Sequence, residues 1–332
     1  MSHTDNESSS ESEGGLTAQS VTESQLSRSA RYQRFSEQWI IAPFRVLWSD
    51  WRARIGSIIV LFYLFIGTVG TVLVEPTYAN QAPSLIQPFQ NMAYPLGTGE
   101  LGLDLFARAV HSTPAMLIMI ASGGLATTIL GTAVGTVSGY RGGLIDSILT
   151  LISDIVLNIP GLPLLVVLSA ILEPREPWAV GLLLSVNAWA GLSRSVRAEV
   201  LTLRDVGYVE SSRLMGVSNS NIILRDILPN IMPFVLINFV AAARNIIFAS
   251  VGLYFLGILP FSNQNWGVML NAAYEAGALV TSEMTHWLLV PMFAIIFLST
   301  GLILLSQGLD RVFNPRVRAR HSKTSGGEEE HA

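Results

Sequence analysis

Long apolar runs separated by polar or Pro/Gly-rich breaks dominate this sequence. A bilayer core about 30 Å thick needs roughly 20 apolar residues per helix. On that measure the pattern predicts six spans, at 56–74, 115–137, 147–172, 178–192, 231–256 and 287–309. The third run carries Asn158, Pro160 and Pro163 and is expected to kink, because proline lacks the N–H donor and clashes with the preceding turn. Barrel strands would be shorter and would alternate apolar with polar positions, whereas these runs are continuously apolar, so helices are expected. The first run starts well into the chain and has full spanning length, and it is expected to stay as a helix rather than be removed as a leader.

Composition and charge add an orientation. Half of the 332 residues are hydrophobic and 13% are charged, too few charges for an ordinary soluble chain of this length. With a cytoplasmic N-terminus, the inner segments hold 17 Lys and Arg residues, and the outer ones hold only Arg108 and Arg175. That bias predicts six spans with both termini cytoplasmic. Without cysteine there is no disulfide framework or thiol chemistry. Lys323 is the only lysine, so no P-loop lysine is available to hold a nucleotide phosphate.

The flanks and loops divide the chain further. Residues 1–36 are rich in Ser, Glu, Thr and Gln and read as a disordered cytoplasmic tail. Residues 37–55 mix Trp39, Trp48 and Trp51 with Arg45, Arg52 and Arg54, which reads either as an amphipathic segment on the membrane face or as a simple lead-in. Residues 56–112 supply the first span and a Pro/Gly-rich external loop, where Asp104 and Arg108 are spaced to start a short surface helix. The main transmembrane domain is expected over 113–310, with a long cytoplasmic loop at 193–230, and residues 311–332 form a polar tail.

That loop is too long for a simple connector. Val196, Val200, Leu203, Val206, Val209 and Leu214 recur at three- and four-residue spacing among Arg197, Arg204, Asp205 and Arg213, which predicts an amphipathic helix weakened at Gly207. Gly216 stands where a helix end favours positive φ, and Ser218 where the next helix wants an N-cap oxygen. The second helix is expected to run from Asn219 to Leu228 and to stop at Pro229. Together the two would form an elbow that projects Gly216 and Val217 into the cytoplasm.

Glu210-Ser211-Ser212, then three residues, Gly216, nine residues, and Asp226-Ile227-Leu228-Pro229 resembles the E-A-A loop of binding-protein-dependent ABC importer permeases. Ser211 and Ser212 replace its two alanines and Asp226 its isoleucine, with the spacing intact. Leu96-Gly97-Thr98 through Gly102, Asp104 and Arg108 resembles the segment that marks the C-type subunit of dipeptide/oligopeptide permeases, with Gly99 for an Asp and Leu103 for an Arg. Gly139-Tyr140-Arg141-Gly142-Gly143 with Asp146, Phe255-Leu256-Gly257, Asn265-Trp266-Gly267 and Asn314-Pro315-Arg316 follow the same family's order.

The resemblance implies an all-α membrane protein with the type I ABC importer permease fold: six transmembrane helices, both termini cytoplasmic. It also implies a second homologous permease subunit, two ABC ATPase subunits that bind ATP and Mg in place of this chain, and an extracytoplasmic substrate-binding protein. The elbow residues Glu210, Ser211, Ser212, Gly216, Ile227, Leu228 and Pro229 would couple to the ATPase. Glu210 would make a polar contact, Gly216 the turn, and Pro229 the stop that sets the angle into the fifth span. The implied cargo is a di- or oligopeptide, with oligosaccharide as the alternative within the family.

Ionisable groups inside spans need partners, so Asp154 and Arg244 are expected either to pair with each other or, with Asn245, to line the translocation path. The family usually carries small or apolar residues at Arg244 and Asn245. Externally, Trp266, Tyr274 and Glu275 are candidates to meet the binding protein, or else to anchor at the membrane interface. An enzyme is disfavoured, because the five histidines are scattered without metal-ligand spacing. An ion-coupled transporter or channel would not require the elbow, and no pattern points to nucleic acid.

Overall fold

The computed structural model describes Trp48, residues 50–261 and residues 264–313, and its described residues form helices joined by turns, with no β-strand. The expectations for the two tails, for residues 37–47 and for Asn314-Pro315-Arg316 lie outside the described residues. The helices are α1 (Trp51–Leu73), α2 (Leu105–Arg141), α3 (Gly143–Asn158), α4 (Gly161–Leu172), α5 (Pro177–Leu203), α6 (Gly207–Leu214), α7 (Asn219–Phe255), α8 (Trp266–Glu275) and α9 (Thr285–Phe313). Four of them, α1, α2, α7 and α9, are long and apolar enough to cross a membrane. The expected kink falls between Asn158 and Gly161, where α3 and α4 meet at 86°, the geometry of a broken span or a re-entrant loop. Pro163 sits in the first turn of α4, where a missing N–H costs no hydrogen bond. The predicted fourth span lies inside α5, a helix of 27 residues whose second half carries Arg194, Arg197 and Glu199. It is not among the helices apolar enough to span on composition.

Packing explains how α5 is accommodated. A Cβ on Gly123 would meet the Gly181 carbonyl at 2.6 Å, one on Gly131 would meet Leu192 at 2.9 Å, and one on Gly139 would meet Val200 at 3.0 Å. Residue numbers rise together on the two helices, so α2 and α5 run parallel with their backbones in near contact. Small residues at such a seam let dispersion act over short distances, which is what holds helices together when no hydrophobic driving force separates helix from lipid. Parallel neighbours need a return path, and the bent α3–α4 pair supplies it.

Polar groups then fasten α3 to α5 in antiparallel order. Arg197 holds Asp146 through two bonds of 2.6 Å, and Thr150 donates to the same carboxylate at 3.1 Å. The Ser153 and Ser193 hydroxyls lie 3.0 Å apart, and Arg194 pairs with Asp154. The motif Asp146 is thus the acceptor of a forked guanidinium contact, the geometry that makes arginine–carboxylate pairs directional.

The external segment before α2 is tightly tied. The Thr98 hydroxyl donates to the Pro83 carbonyl at 2.7 Å and accepts from the Ile86 amide at 3.0 Å, while a His286 ring nitrogen lies 3.1 Å from the Thr98 carbonyl. Asp104 does not start a short surface helix. Its carboxylate accepts from the Phe106 amide at 2.9 Å and caps the 37-residue α2, so Asp104 and Arg108 open a span. Burial raises the Asp104 carboxyl above its ordinary range, against the opposing pull of that amide.

The main core joins Tyr63 of α1, Met116 and Met119 of α2, Val180 of α5, Ile247 and Tyr254 of α7 and Trp266 of α8. A second cluster lies at the Arg141 end of α2, where Val209, Ile222 and Ile227 of the elbow pack on Tyr140, Val196 and Val200.

Candidate functional site: an anchored elbow and an amide-bearing cavity

The predicted amphipathic helix through Val196, Val209 and Leu214 forms as two pieces, because the chain turns at Arg204–Val206 between α5 and α6. Losing that stretch changes the helical phase. Val209 remains on the buried face, whereas Leu214 is 83% and Met215 74% exposed. Leu214 therefore belongs to the tip and not to the apolar face on which its spacing put it.

The tip itself closes as expected. The Gly216 amide donates to the Arg213 carbonyl and the Val217 amide to the Ser212 carbonyl, each at 3.1 Å. This is the Schellman arrangement, which needs a residue of positive φ, and Gly216 has φ +76° with open space around its Cβ position. The Ser218 hydroxyl accepts from the Asn221 amide at 3.4 Å and caps the next helix. Glu210 and Ser211 face solvent, and the Ser211 hydroxyl donates to the Gly207 carbonyl at 2.8 Å. Ser212 and Leu228 are half-buried, Ile227 is fully buried and Pro229 is exposed.

Pro229 does not stop the helix. The chain passes through a π turn at Ile223–Ile227, in which the Leu228 amide donates to the Ile223 carbonyl, and continues as one helix of 37 residues from Asn219 to Phe255. The wider turn shifts the hydrogen-bond register just ahead of Pro229, so the missing N–H falls where the ladder is already displaced. The elbow's second helix and the span are one continuous helix.

The two charged candidates do not pair with each other. Asp154 pairs with Arg194 of α5 and not with Arg244, because the α3–α4 bend keeps α3 against α5. Arg244 is half-buried near the middle of α7 and, among the described residues, has no ion-pair or hydrogen-bond partner. Its neighbour Asn245 lines a cavity of about 470 Å³ together with Thr127, Asn187, Ser195 and Asn238. Most of the lining is apolar, and its polar groups are neutral and hydrogen-bonding. Asn187 and Asn238, absent from the expected site, could have been found as amides recurring in runs otherwise apolar.

On the external side, Trp266 is fully buried, with its Nε1 donating to the Ala109 carbonyl at 3.3 Å. It is therefore a packing residue and is withdrawn as a contact for an external protein. The neighbouring motif residues serve the same packing. The Asn265 side chain accepts from the Val268 amide at 3.0 Å, and a Cβ on Gly267 would approach Tyr254 to 2.7 Å. Tyr274 and Glu275 are exposed, and the Tyr274 ring meets Phe255 edge-on at 5.3 Å.

Four helices long and apolar enough to span mark an integral membrane protein, with an elbow anchored on the helix ends and an amide-bearing cavity alongside. Residues 131–319 match the family described as binding-protein-dependent transport system inner membrane component. The chain belongs to that family, as a permease subunit of an ABC importer. It is 30% identical over 271 residues to the dipeptide transport system permease protein DppC of Bacillus subtilis (strain 168), covering 80% of this chain and 82% of that one. It is 28% identical to DppC of Haemophilus influenzae, covering 83% and 96%. It is also 27% identical to the oligopeptide transport system permease protein OppC of B. subtilis, covering 67% and 72%. A chain of the inward-facing MetNI methionine ABC transporter superposes with TM-score 0.47 at 18% identity, covering 62% of this chain and 96% of that one. The family is the permease component of importers that work with ATPase and substrate-binding partners.

Proposed function

We propose that this chain passes di- or oligopeptides, delivered by an external binding protein, across the plasma membrane, and that two partner ATPase chains drive it through the elbow. In this reading the chain has six spans with both termini cytoplasmic, pairs with a second related permease, and leaves ATP and Mg to its ATPase partners. The observation that carries it is the elbow. Its inner face is locked into the helix ends by Val209, Ile222 and Ile227, while Leu214 and Met215 stand in solvent beside Gly216. Exposed apolar side chains on a rigid protrusion favour cover by another protein. Glu210 supplies a charge next to that tip. The cavity at Asn245 suits a cargo with neutral amides, and the peptide assignment draws on the names of the relatives. Tyr274 and Glu275 remain the candidates for contact with the binding protein.

The test is co-purification of the ATPase chains with wild type and with Gly216→Trp, followed by peptide uptake into vesicles containing the assembled importer. Gly216→Trp should reach the membrane at the normal level and lose both ATPase association and uptake, whereas Gly216→Asn, which tolerates positive φ, should retain most of both. Normal assembly of the Trp variant would remove the docking role. Uptake competed by an oligosaccharide and not by peptides would leave the importer reading intact and overturn the cargo.

A further inference from the structure

At the Arg141 end of α2 lies a cavity of about 560 Å³ lined by Tyr140, Arg141, Ile145, Arg204, Asp205, Arg213 and Asn219. Its walls come from the last turn of α2, the start of α3, the turn after α5, the first helix of the elbow and the first residue of α7. Three guanidinium groups face one carboxylate, and that carboxylate is already taken, since Arg204 Nε lies 3.4 Å from Asp205. Among the described residues neither Arg141 nor Arg213 has an acidic partner. Arg213 is held in place, with its guanidinium 5.7 Å from the centre of the Tyr140 ring and a bond of 3.3 Å to the Arg204 carbonyl. The Tyr140 hydroxyl donates to Asn219 at 3.5 Å across the same space.

The position matters as much as the charge. Arg141 is the first charged residue on α2 after Arg108 and follows a long apolar stretch, so it sits where a spanning helix leaves hydrocarbon for the headgroup layer. Anionic headgroups attract clustered basic side chains there, and guanidinium groups match phosphate oxygens in a forked geometry.

We propose that this open cavity binds a phosphate-bearing anion between the end of α2 and the elbow, and that the exposed Arg141 and Arg213 supply the charge that retains it. A bound anion would bridge the end of α2 and the elbow beside the contacts made by Tyr140 and the small apolar cluster behind it. The cavity and its arginines do not depend on what the elbow tip docks.

The experiment uses the full chain in nanodiscs of phosphatidylcholine with and without phosphatidylglycerol. Tightly held lipid is read by native mass spectrometry, and thermal stability is measured in detergent against added inorganic phosphate. Wild type should hold phosphatidylglycerol or be stabilised by phosphate. Arg141→Gln and Arg213→Gln should each weaken retention about fivefold, while Arg225→Gln, exposed on the same elbow outside the cavity, should leave it unchanged. Retention of phosphatidylglycerol that phosphate does not compete assigns a lipid headgroup. Stabilisation by phosphate with the same arginine dependence assigns a soluble anion. Arg→Lys replacements, which keep the charge, cover any glutamine variant that fails to accumulate, and they should keep part of the binding. Wild type indifferent to both ligands, or retention equal in wild type and the Gln double variant, would overturn the site. So would lipid retention that disappears whenever the ATPase chains are bound, which would assign the arginines to an acidic protein partner.

Discussion

At the elbow, a turn closes through backbone bonds from Gly216 and Val217 and a serine cap, with nothing packed around the glycine. Along α2 and α5, glycines at 123, 131, 135 and 139 have no free space at all, because each faces the backbone or a side-chain root of the partner helix. The same residue type does opposite work in the two places. In the turn it supplies a backbone conformation and leaves the surface open for another protein. In the seam it supplies absence of volume and leaves no room for anything.

Enlarging a seam glycine should have the largest effect. Gly181→Leu drives a side chain into Met119 and Ser122 of α2 and should cost about 3 kcal/mol. The expected outcome is a several-fold loss of monodisperse protein after mild detergent extraction. Wild-type behaviour would mean that the close approach contributes little to the fold. Next comes the ladder that ties the return helix to the seam. Asp146→Ala strands Arg197, which is only partly exposed, and should cost about 2 kcal/mol. Adding Arg197→Leu should recover part of that loss, and purely additive thermal shifts in the double variant would dissolve the proposed coupling. The smallest effect belongs to the turn: Ser218→Ala removes one long cap bond and should cost about 0.5 kcal/mol. Amide exchange should quicken at 219–222 alone, and a global loss of protection would contradict the local nature of the elbow.

The difference between these regions is also the difference between what could and could not be read from the chain. Gly216 and Ser218 were legible because capping is decided within a few residues. The kink at Asn158 and Pro160 was legible for the same reason. Pro229 was misread because whether a proline ends a helix depends on the register of the turn before it, and the π turn at Ile223–Ile227 supplies that register without any sequence signature. Leu214 was misplaced because a single turn at Arg204–Val206 resets the helical phase. The Asp154–Arg194 pair depends on α3 folding back along α5, and the burial of Trp266 depends on α1, α2 and α7 meeting around it. Both are tertiary facts. The family landmarks Asn265-Trp266-Gly267 were visible as a pattern, but their work as cap, core side chain and close approach was not.

The unbroken run from Asn219 to Phe255 makes the elbow the short arm of a lever. About 30 residues separate the π turn from Phe255, a length of roughly 45 Å at 1.5 Å per residue. A tilt of about 10° around that turn would carry the far end through about 8 Å, comparable to the distance between the axes of two packed helices. Small displacements at a solvent-exposed tip can therefore become large ones at the opposite face, with one wide helical turn as the fulcrum.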